Sequence, residues 1–182
     1  PAAVPPPVET VPYLPTDALE QRIRLAGESA LPAWRELLGL WTVRAQETTV
    51  AQASACAPVL APGLFCLRGR ASLDKLVALG RPVLLRLQSG EGDAWAVLLG
   101  ADGLHARLWL GGGRFDTDRG GLERHWRGDY EALWRGPDFL QPVPAANETG
   151  PAVAWIHARL RERAGLAATD AAVFDDSSRA AV

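Results

Sequence analysis

Two cysteines and three histidines are the first candidates for nucleophile, base or metal ligand in this 182-residue chain. Cys56 and Cys66 flank a short segment that contains Pro58, Pro62 and Gly63. Such a pair is compatible with a disulfide in an oxidising compartment, which would contribute roughly 2–3 kcal/mol by closing the loop. Two buried thiols of a cytosolic protein fit the spacing equally well. The five residues do not have the spacing of a zinc site, so no metal is expected.

A thiol nucleophile needs a histidine that takes up its proton and a third group that orients the histidine. Cys56 is predicted near the start of a short helix, where the helix dipole lowers a thiol pKa, and Gln52 could donate to an oxyanion. The available bases are His105, His125 and His157, and none is followed by an acid or amide at a suggestive spacing. An active cysteine peptidase or amidase that uses Cys56 with His105 or His125 is therefore an alternative hypothesis.

The sequence has no motif for cofactor binding and no features of nucleic-acid or membrane binding. There is no phosphate-binding loop, dinucleotide fingerprint, zinc-protease helix, nucleophile elbow or calcium loop, so no cofactor is expected. The formal net charge of −2 does not favour nucleic acid or an anionic membrane surface as a partner. The apolar runs Pro82–Leu87 and Trp95–Leu99 are too short to span a bilayer.

The first half of the chain predicts helices. Residues 1–15 are proline-rich and predict an extended linker. A helix capped by Thr16 or Asp17 follows, and a second begins after Pro32, with Trp34 and Trp41 expected to anchor the core. Further on, the sequence predicts a short helix around Cys56, a strand over Leu64–Leu67, and a helix that Ser72 caps and Gly80 ends.

The middle of the chain alternates with the period of strands. PVLLRL and AWAVLLG predict an antiparallel hairpin, and Arg114–Thr117 a short strand. The run HARLWL predicts a strand with one apolar face, which consists of Leu104, Ala106, Leu108 and Leu110. The run GLERHWRG predicts a late helix, and Tyr130–Trp134 a last strand. Helices segregated from an antiparallel sheet indicate an α+β fold.

The last part of the chain predicts a separate helical module. A proline-rich connector ends near Gly150 and is followed by an amphipathic helix, whose apolar side is expected to consist of Val153, Ile156, Leu160 and Ala164. A further helix is predicted to start at Asp175 or Asp176 and to stop within its first turns. The chain has no Met and opens in the proline-rich stretch, so we expect it to be a piece of a longer protein.

The order of these features resembles one known family. The run ACAPVLAPGLFCLRGRASLDKLVALGRPVLLRL, the strand DAWAVLLG and the block HWRGDYEALWRGP are similar to the periplasmic region of the general secretion pathway protein A family. Its most specific parts are the two cysteines around the Pro-Gly turn and the pattern W-x-G-x-[YF]-x-x-L-W at Trp126–Trp134. The family resembles papain-like peptidases that remove double-glycine leaders, and its members carry a peptidoglycan-binding module next in the chain.

The resemblance implies a division into four parts. These are a linker over residues 1–15, a papain-like, double-glycine-peptidase-like domain over 16–136, a connector over 137–149 and an incomplete peptidoglycan-binding-like helical module over 150–182. Cys56 falls where the active peptidases carry their nucleophile, and a disulfide with Cys66 is expected. The histidine position is taken by Asp93, Ala94 and Trp95, and the acid position by Leu110 and Gly111. We therefore expect a pseudo-peptidase, because triad members act as a unit.

The resemblance also implies partners. A non-catalytic scaffold of type II secretion would lie in the periplasm, as part of an inner-membrane-anchored protein. Its partners would be peptidoglycan, the secretin and a partner inner-membrane protein, and self-oligomerisation is a further hypothesis. Aromatic side chains suit sugar rings or peptides, and the candidate ligand-binding residues are Trp95, Trp109, Trp126, Tyr130 and Trp134.

Overall fold

A computed structural model of the chain describes residues 11–90, 92–140, 144–164 and 173–175. The strands are β1 (Tyr13–Leu14), β2 (Val59–Ala61), β3 (Leu64–Arg70), β4 (Val83–Ser89), β5 (Gly92–Ala101), β6 (His105–Leu110), β7 (Gly113–Asp118) and β8 (Trp126–Arg135). The helices are α1 (Thr16–Ala26), α2 (Leu31–Leu40), α3 (Val50–Ser54), α4 (Leu73–Leu79), α5 (Arg119–His125) and α6 (Pro151–Ala164). The α+β fold class is confirmed.

The strands form one eight-stranded sheet in the order β1-β7-β6-β5-β4-β8-β3-β2. The pairs from β7 across to β8 are antiparallel, as is the β2–β3 pair. The predicted antiparallel sheet also has a parallel pair at one edge, where β1 runs alongside β7. Tyr13 and Leu14 of this edge strand lie inside the predicted proline-rich linker, where proline excludes a central strand but permits an edge.

Helices cover both faces of the sheet. On the first face, α1, α4 and α5 enclose a core that includes Leu85, Ala96 and Leu108. On the second face, α2 and α3 enclose a core with Leu84 and Val97, the alternate residues of the same two strands. Successive side chains of a strand point to opposite faces, so neighbouring residues of the central strands are buried in different cores. Because both faces are buried, the sequences of these strands are continuously apolar.

Local signals placed α4 correctly. The Ser72 hydroxyl accepts the Lys75 amide hydrogen at the first turn, and Gly80 ends the helix in the left-handed conformation. The predicted cap of α1 was wrong, since Pro15 is the capping residue and no side chain caps this helix. Pro15 fixes the extended backbone at that point and leaves its carbonyl to accept from Leu19.

Two boundaries in the sheet region differ from the prediction. The helix over GLERHWRG ends at His125, and Trp126 already begins β8, because Trp126 is buried in the first-face core. Leu104 precedes β6 and is 73% exposed, so it does not belong to the apolar face of that strand. In its turn, the Asp102 carboxylate accepts the amide hydrogens of Leu104 and His105.

The chain divides into two compact units, residues 1–134 and 135–182. Within the second unit, α6 follows an isolated bridge between Thr149 and Val173. Val153 and His157 are the buried residues of α6 where burial is described, whereas Ile156 and Leu160 are half-buried. The predicted apolar side of this helix was thus wrong in part, and the Ala164 side chain lies outside the described residues. The helix predicted to start at Asp175 or Asp176 would extend over residues 176–182, which also lie outside them.

Candidate functional site

Cys56 and Cys66 form a disulfide with Cα atoms 5.3 Å apart. Cys66 lies in β3, and Cys56 follows the carboxyl end of α3 with φ 44°. The prediction that Cys56 lies near the start of a helix was therefore wrong. Because Pro58 and the strand β2 follow Cys56 directly, no helix can begin at Cys56. The Cys56 sulfur therefore lies at no helix amino end whose dipole would favour a thiolate.

The helix that packs across the central strands of the second face is α2. Its buried residues are Ala33, Trp34, Leu37 and Leu38, and its first turn carries Pro32. Residues Ala30 to Ala33 at its amino end carry no thiol or hydroxyl, and the hydroxyl of the exposed Ser29 just before them accepts the Leu31 amide hydrogen. The helix that occupies the centre of this face thus brings no nucleophile to the sheet.

Two of the three histidines lie away from the cysteines in the first unit. His105 begins β6, which is four strand spacings from β3, or about 19 Å. His125 ends α5 on the first face of the sheet, where its Nδ1 lies 3.1 Å from the Gln88 carbonyl oxygen, whereas both cysteines belong to the second-face core. His157 lies in the second unit. Neither His105 nor His125 can therefore act as a base for Cys56.

The residues at the positions implied for histidine and acid have other structural roles. Ala94 is buried in the first-face core, while the Arg86 Nε donates to the Asp93 carboxylate over 2.9 Å. Leu110 is buried in the first-face core and Gly111 forms the following turn. The head of β5 thus presents an ion-paired carboxylate and an indole to the second face, and no imidazole.

Two of the five aromatic candidates share this second face. Trp95 and Trp109 are half-buried and pack against the second-face core. Trp109 lies opposite Val97, two residues beyond Trp95, so the two indoles are diagonal neighbours on adjacent strands. We call Trp95 and Trp109, with the flanking ion pairs Arg86–Asp93 and Arg114–Glu36, the tryptophan face.

The ion pairs of the tryptophan face join different elements. Arg86 lies opposite Trp95 in the β4–β5 register, and Arg114 lies opposite Trp109 in the β6–β7 register. Arg114 reaches Glu36 of α2 with an N–O distance of 2.9 Å. Beside Trp109, a cleft of about 300 Å³ is lined by Glu36, Trp109, Gly112, Gly113 and Arg114 together with Val11 and Pro12. The face therefore combines two partly exposed indoles with hydrogen-bonding groups of both charges.

The other three aromatic candidates lie on the first face. Trp126 is 6% exposed and donates its indole hydrogen to the Asp129 carbonyl. Tyr130 packs against the first-face core and touches Gly69. Trp134 stacks on Phe65 with ring centroids 4.3 Å apart. These three side chains contribute to packing, and the structure does not bring them together with Trp95 and Trp109.

The comparisons with known proteins identify the family. The family described as the GspA peptidase C39-like domain matches residues 20–136, more than half of the chain. The chain belongs to the GspA peptidase C39-like domain family. The fold is accordingly that of a peptidase-like domain, as the sequence resemblance implied.

This GspA peptidase C39-like chain is similar to a curated protein and to a solved structure from secretion systems. The General secretion pathway protein A of Aeromonas hydrophila is 32% identical over 151 residues, which cover 80% of this chain and 27% of that protein. The crystal structure of a periplasmic domain of the EpsAB fusion protein of the Vibrio vulnificus type II secretion system aligns with TM-score 0.56 and 22% identity, over 84% of this chain and 66% of that one. The second match shows the fold alone.

A second cleft of the GspA peptidase C39-like domain lies at the far end of the same face. It has a volume of about 460 Å³, and its side chains include Tyr13, Asp102, His105, Arg107 and Asp116. Among the described residues, no group of three or more histidine, cysteine or carboxylate side chains could hold a metal ion. In the described part of the chain, no helix has the length and apolarity needed to cross a membrane.

Arg107 forms an ion pair with Asp116 in this second cleft. Its guanidinium donates two hydrogen bonds to the Asp116 carboxylate and holds the pKa of that group below its ordinary value, against the opposing effect of burial. Stability from this pairing is present above the unfolded pKa and is lost as the pH falls through the lowered folded pKa. We expect Arg107→Gln to raise the pKa of Asp116 in a carboxyl NMR titration. Arg86→Gln, which removes a partner of Asp93 instead, should leave Asp116 unchanged.

Sequence reasoning missed the charged members of both clefts. Cross-strand pairs such as Arg107–Asp116 join residues nine apart, and Glu36–Arg114 joins residues 78 apart. The first could have been found from the hairpin register, in which these two residues lie opposite each other. The second has no local signal, because it depends on how α2 packs on the sheet.

Proposed function

We propose that this domain is a non-catalytic binding module of a type II secretion assembly protein, that it acts in the periplasm, and that its tryptophan face binds peptidoglycan. The names of the two relatives support the setting, since one is a general secretion pathway protein and the other a periplasmic domain of a type II secretion system. The chain spans 27% of the first relative's length, so the role of a whole protein, including an inner-membrane anchor, is part of the proposal.

The arrangement of the second face supports the lack of catalysis. Cys56 and Cys66 are joined in a disulfide, so neither supplies a thiolate. In the described part of the chain, α2 brings no hydroxyl or thiol to the sheet, and the head of β5 presents Asp93 bonded to Arg86. Because no nucleophile lies within reach of an imidazole, the groove of the peptidase fold can bind a ligand but has no groups to cleave it.

The tryptophan face has the chemistry that a glycan strand needs. Sugar rings pack their apolar faces on indoles, and their hydroxyl groups hydrogen-bond to charged side chains that are already held in place. Trp95 and Trp109 supply the indoles, and the two ion pairs supply donors and acceptors on either side. Because each charge is paired, the face favours a neutral polar polymer over a strongly charged one.

A cell-wall pull-down tests the proposal. Purified sacculi are incubated with the whole chain and with a version that ends at Pro144. We expect both to be retained, and Trp95→Ala/Trp109→Ala to lower the retained fraction at least about tenfold, since loss of two stacking contacts costs about 1.4 kcal/mol or more.

Trp155→Ala is the matched control for that experiment, because this indole lies in the second unit. We expect it to leave retention unchanged. If the shorter version is not retained and Trp155→Ala lowers binding, wall binding belongs to residues 135–182 and the tryptophan face has another ligand. Secretin, the partner inner-membrane protein and a second copy of the chain would then be the binding partners to test.

A further inference from the structure

The segment that precedes α1 is docked on the sheet as an edge strand. The β1 residues Tyr13 and Leu14 pair in parallel with Asp116 and Thr117 of β7. The Asp116 amide donates to the Pro12 carbonyl over 2.9 Å, and the Thr117 hydroxyl donates to the Leu14 carbonyl over 2.8 Å. The backbone carbonyls of Pro12 and Leu14 thus accept hydrogen bonds from part of the outer edge of β7.

The two side chains of β1 make different contacts. Leu14 packs against the first-face core beside Thr117, which is fully buried. Tyr13 lies on the second face, where its ring meets His105 edge-on with centroids 6.1 Å apart. Interaction of the Tyr13 hydroxyl with the Asp118 carboxylate raises the pKa of Tyr13. At the β7 edge, an aromatic side chain on the second face is therefore followed by an aliphatic side chain on the first face.

The site at the β7 edge is larger than the segment that fills it. Tyr13 is 51% exposed and forms one wall of the open cleft of about 460 Å³ that Arg107 and Asp116 also line. Pro12 borders the other cleft, of about 300 Å³. Only two residues of β1 pair with a β7 strand of six, so few contacts hold the segment in place.

We propose that the β7 edge is a strand-acceptor site, which residues 11–14 occupy in this chain and which also accepts, in their place, an extended segment of a partner polypeptide with an aromatic residue followed by an aliphatic one. Added strands of this kind gain affinity from backbone hydrogen bonds and specificity from pockets for alternate side chains. The two clefts give a longer partner segment room that the chain's own residues leave open.

The test uses the whole chain and a fluorescent peptide with the sequence of residues 11–16. Tyr13→Ala/Leu14→Ala in the chain should free the β7 edge, so that the Asp116 amide exchanges with deuterium at least tenfold faster. The peptide should then bind this variant at least tenfold more tightly than the unchanged chain, in which β1 competes. A peptide that carries the same two substitutions should bind neither chain.

Leu14→Ala alone gives a second variant if the double variant fails to fold, and it should shift exchange and peptide affinity in the same direction by a smaller factor. Leu104→Ala, at an exposed position outside the site, is the control and should change neither. An Asp116 amide that exchanges equally fast in all chains, or a folded variant with a freed edge that does not bind the peptide, would overturn the proposal.

Discussion

Reduction of the Cys56–Cys66 disulfide is expected to lower the free energy of unfolding by about 2–3 kcal/mol, because the bond closes a loop between residues ten apart. The bond also fastens the segment after α3 to β3, where Arg68 donates to the Ala55 carbonyl. Urea unfolding with and without a thiol reductant measures the difference. Iodoacetamide should label neither cysteine before reduction.

The control for the disulfide is the double variant Cys56→Ala/Cys66→Ala. It should have the stability of the reduced chain, and reductant should not affect it further. An unchanged unfolding midpoint in reductant would show that the bond does not stabilise this unit. Rapid labelling of the untreated chain at Cys56 would contradict the non-catalytic function, because it would reveal a free thiolate.

Gly128→Ala is expected to destabilise the domain by about 2 kcal/mol, for two reasons that add. Gly128 has φ +96°, a conformation that residues with a Cβ rarely adopt. A Cβ there would also meet the Ala71 carbonyl oxygen at 3.1 Å, and this neighbour cannot turn away, since Ala71 and Gly128 are joined by a backbone hydrogen bond. Thermal or urea unfolding provides the measurement.

Gly120→Ala is the matched control for Gly128→Ala. Gly120 lies within α5, and a Cβ there would meet nothing within 4 Å. Since alanine is the better helix former, this change should stabilise the domain slightly, by about 0.5–1 kcal/mol. Equal losses at both positions would mean that Gly128 has no special conformational role in the W-x-G pattern.

Local patterns predicted the elements whose ends carry their own signals. Ser72 and Gly80 bounded α4 correctly because a hydroxyl cap and a left-handed glycine act within one turn. The hairpin of β4 and β5 was also predicted, since its strands are apolar and flanked by turn residues. The family resemblance predicted the peptidase-like fold, and the family match over residues 20–136 confirms that prediction.

Predictions failed where tertiary contacts decide the local structure. The surroundings of Cys56 read as helix, yet Pro58 and pairing with Phe65 make Val59 part of a strand. Trp126 lies in the predicted helix but is buried in the first-face core as the first residue of β8, so the helix ends at His125, three residues before the predicted end at Gly128. The tryptophan face could be predicted only in part, because Glu36 reaches it through the packing of α2.

Both rims of the sheet end in very short strands, two residues in β1 and three in β2. A long, flat edge strand exposes unpaired backbone groups that can pair with another molecule and lead to fibrils. A short edge strand exposes few such groups. The purified domain should therefore stay dispersed at high concentration. Any change that strips β1 from its neighbour would leave the whole six-residue edge of β7 open for pairing and invite polymerisation.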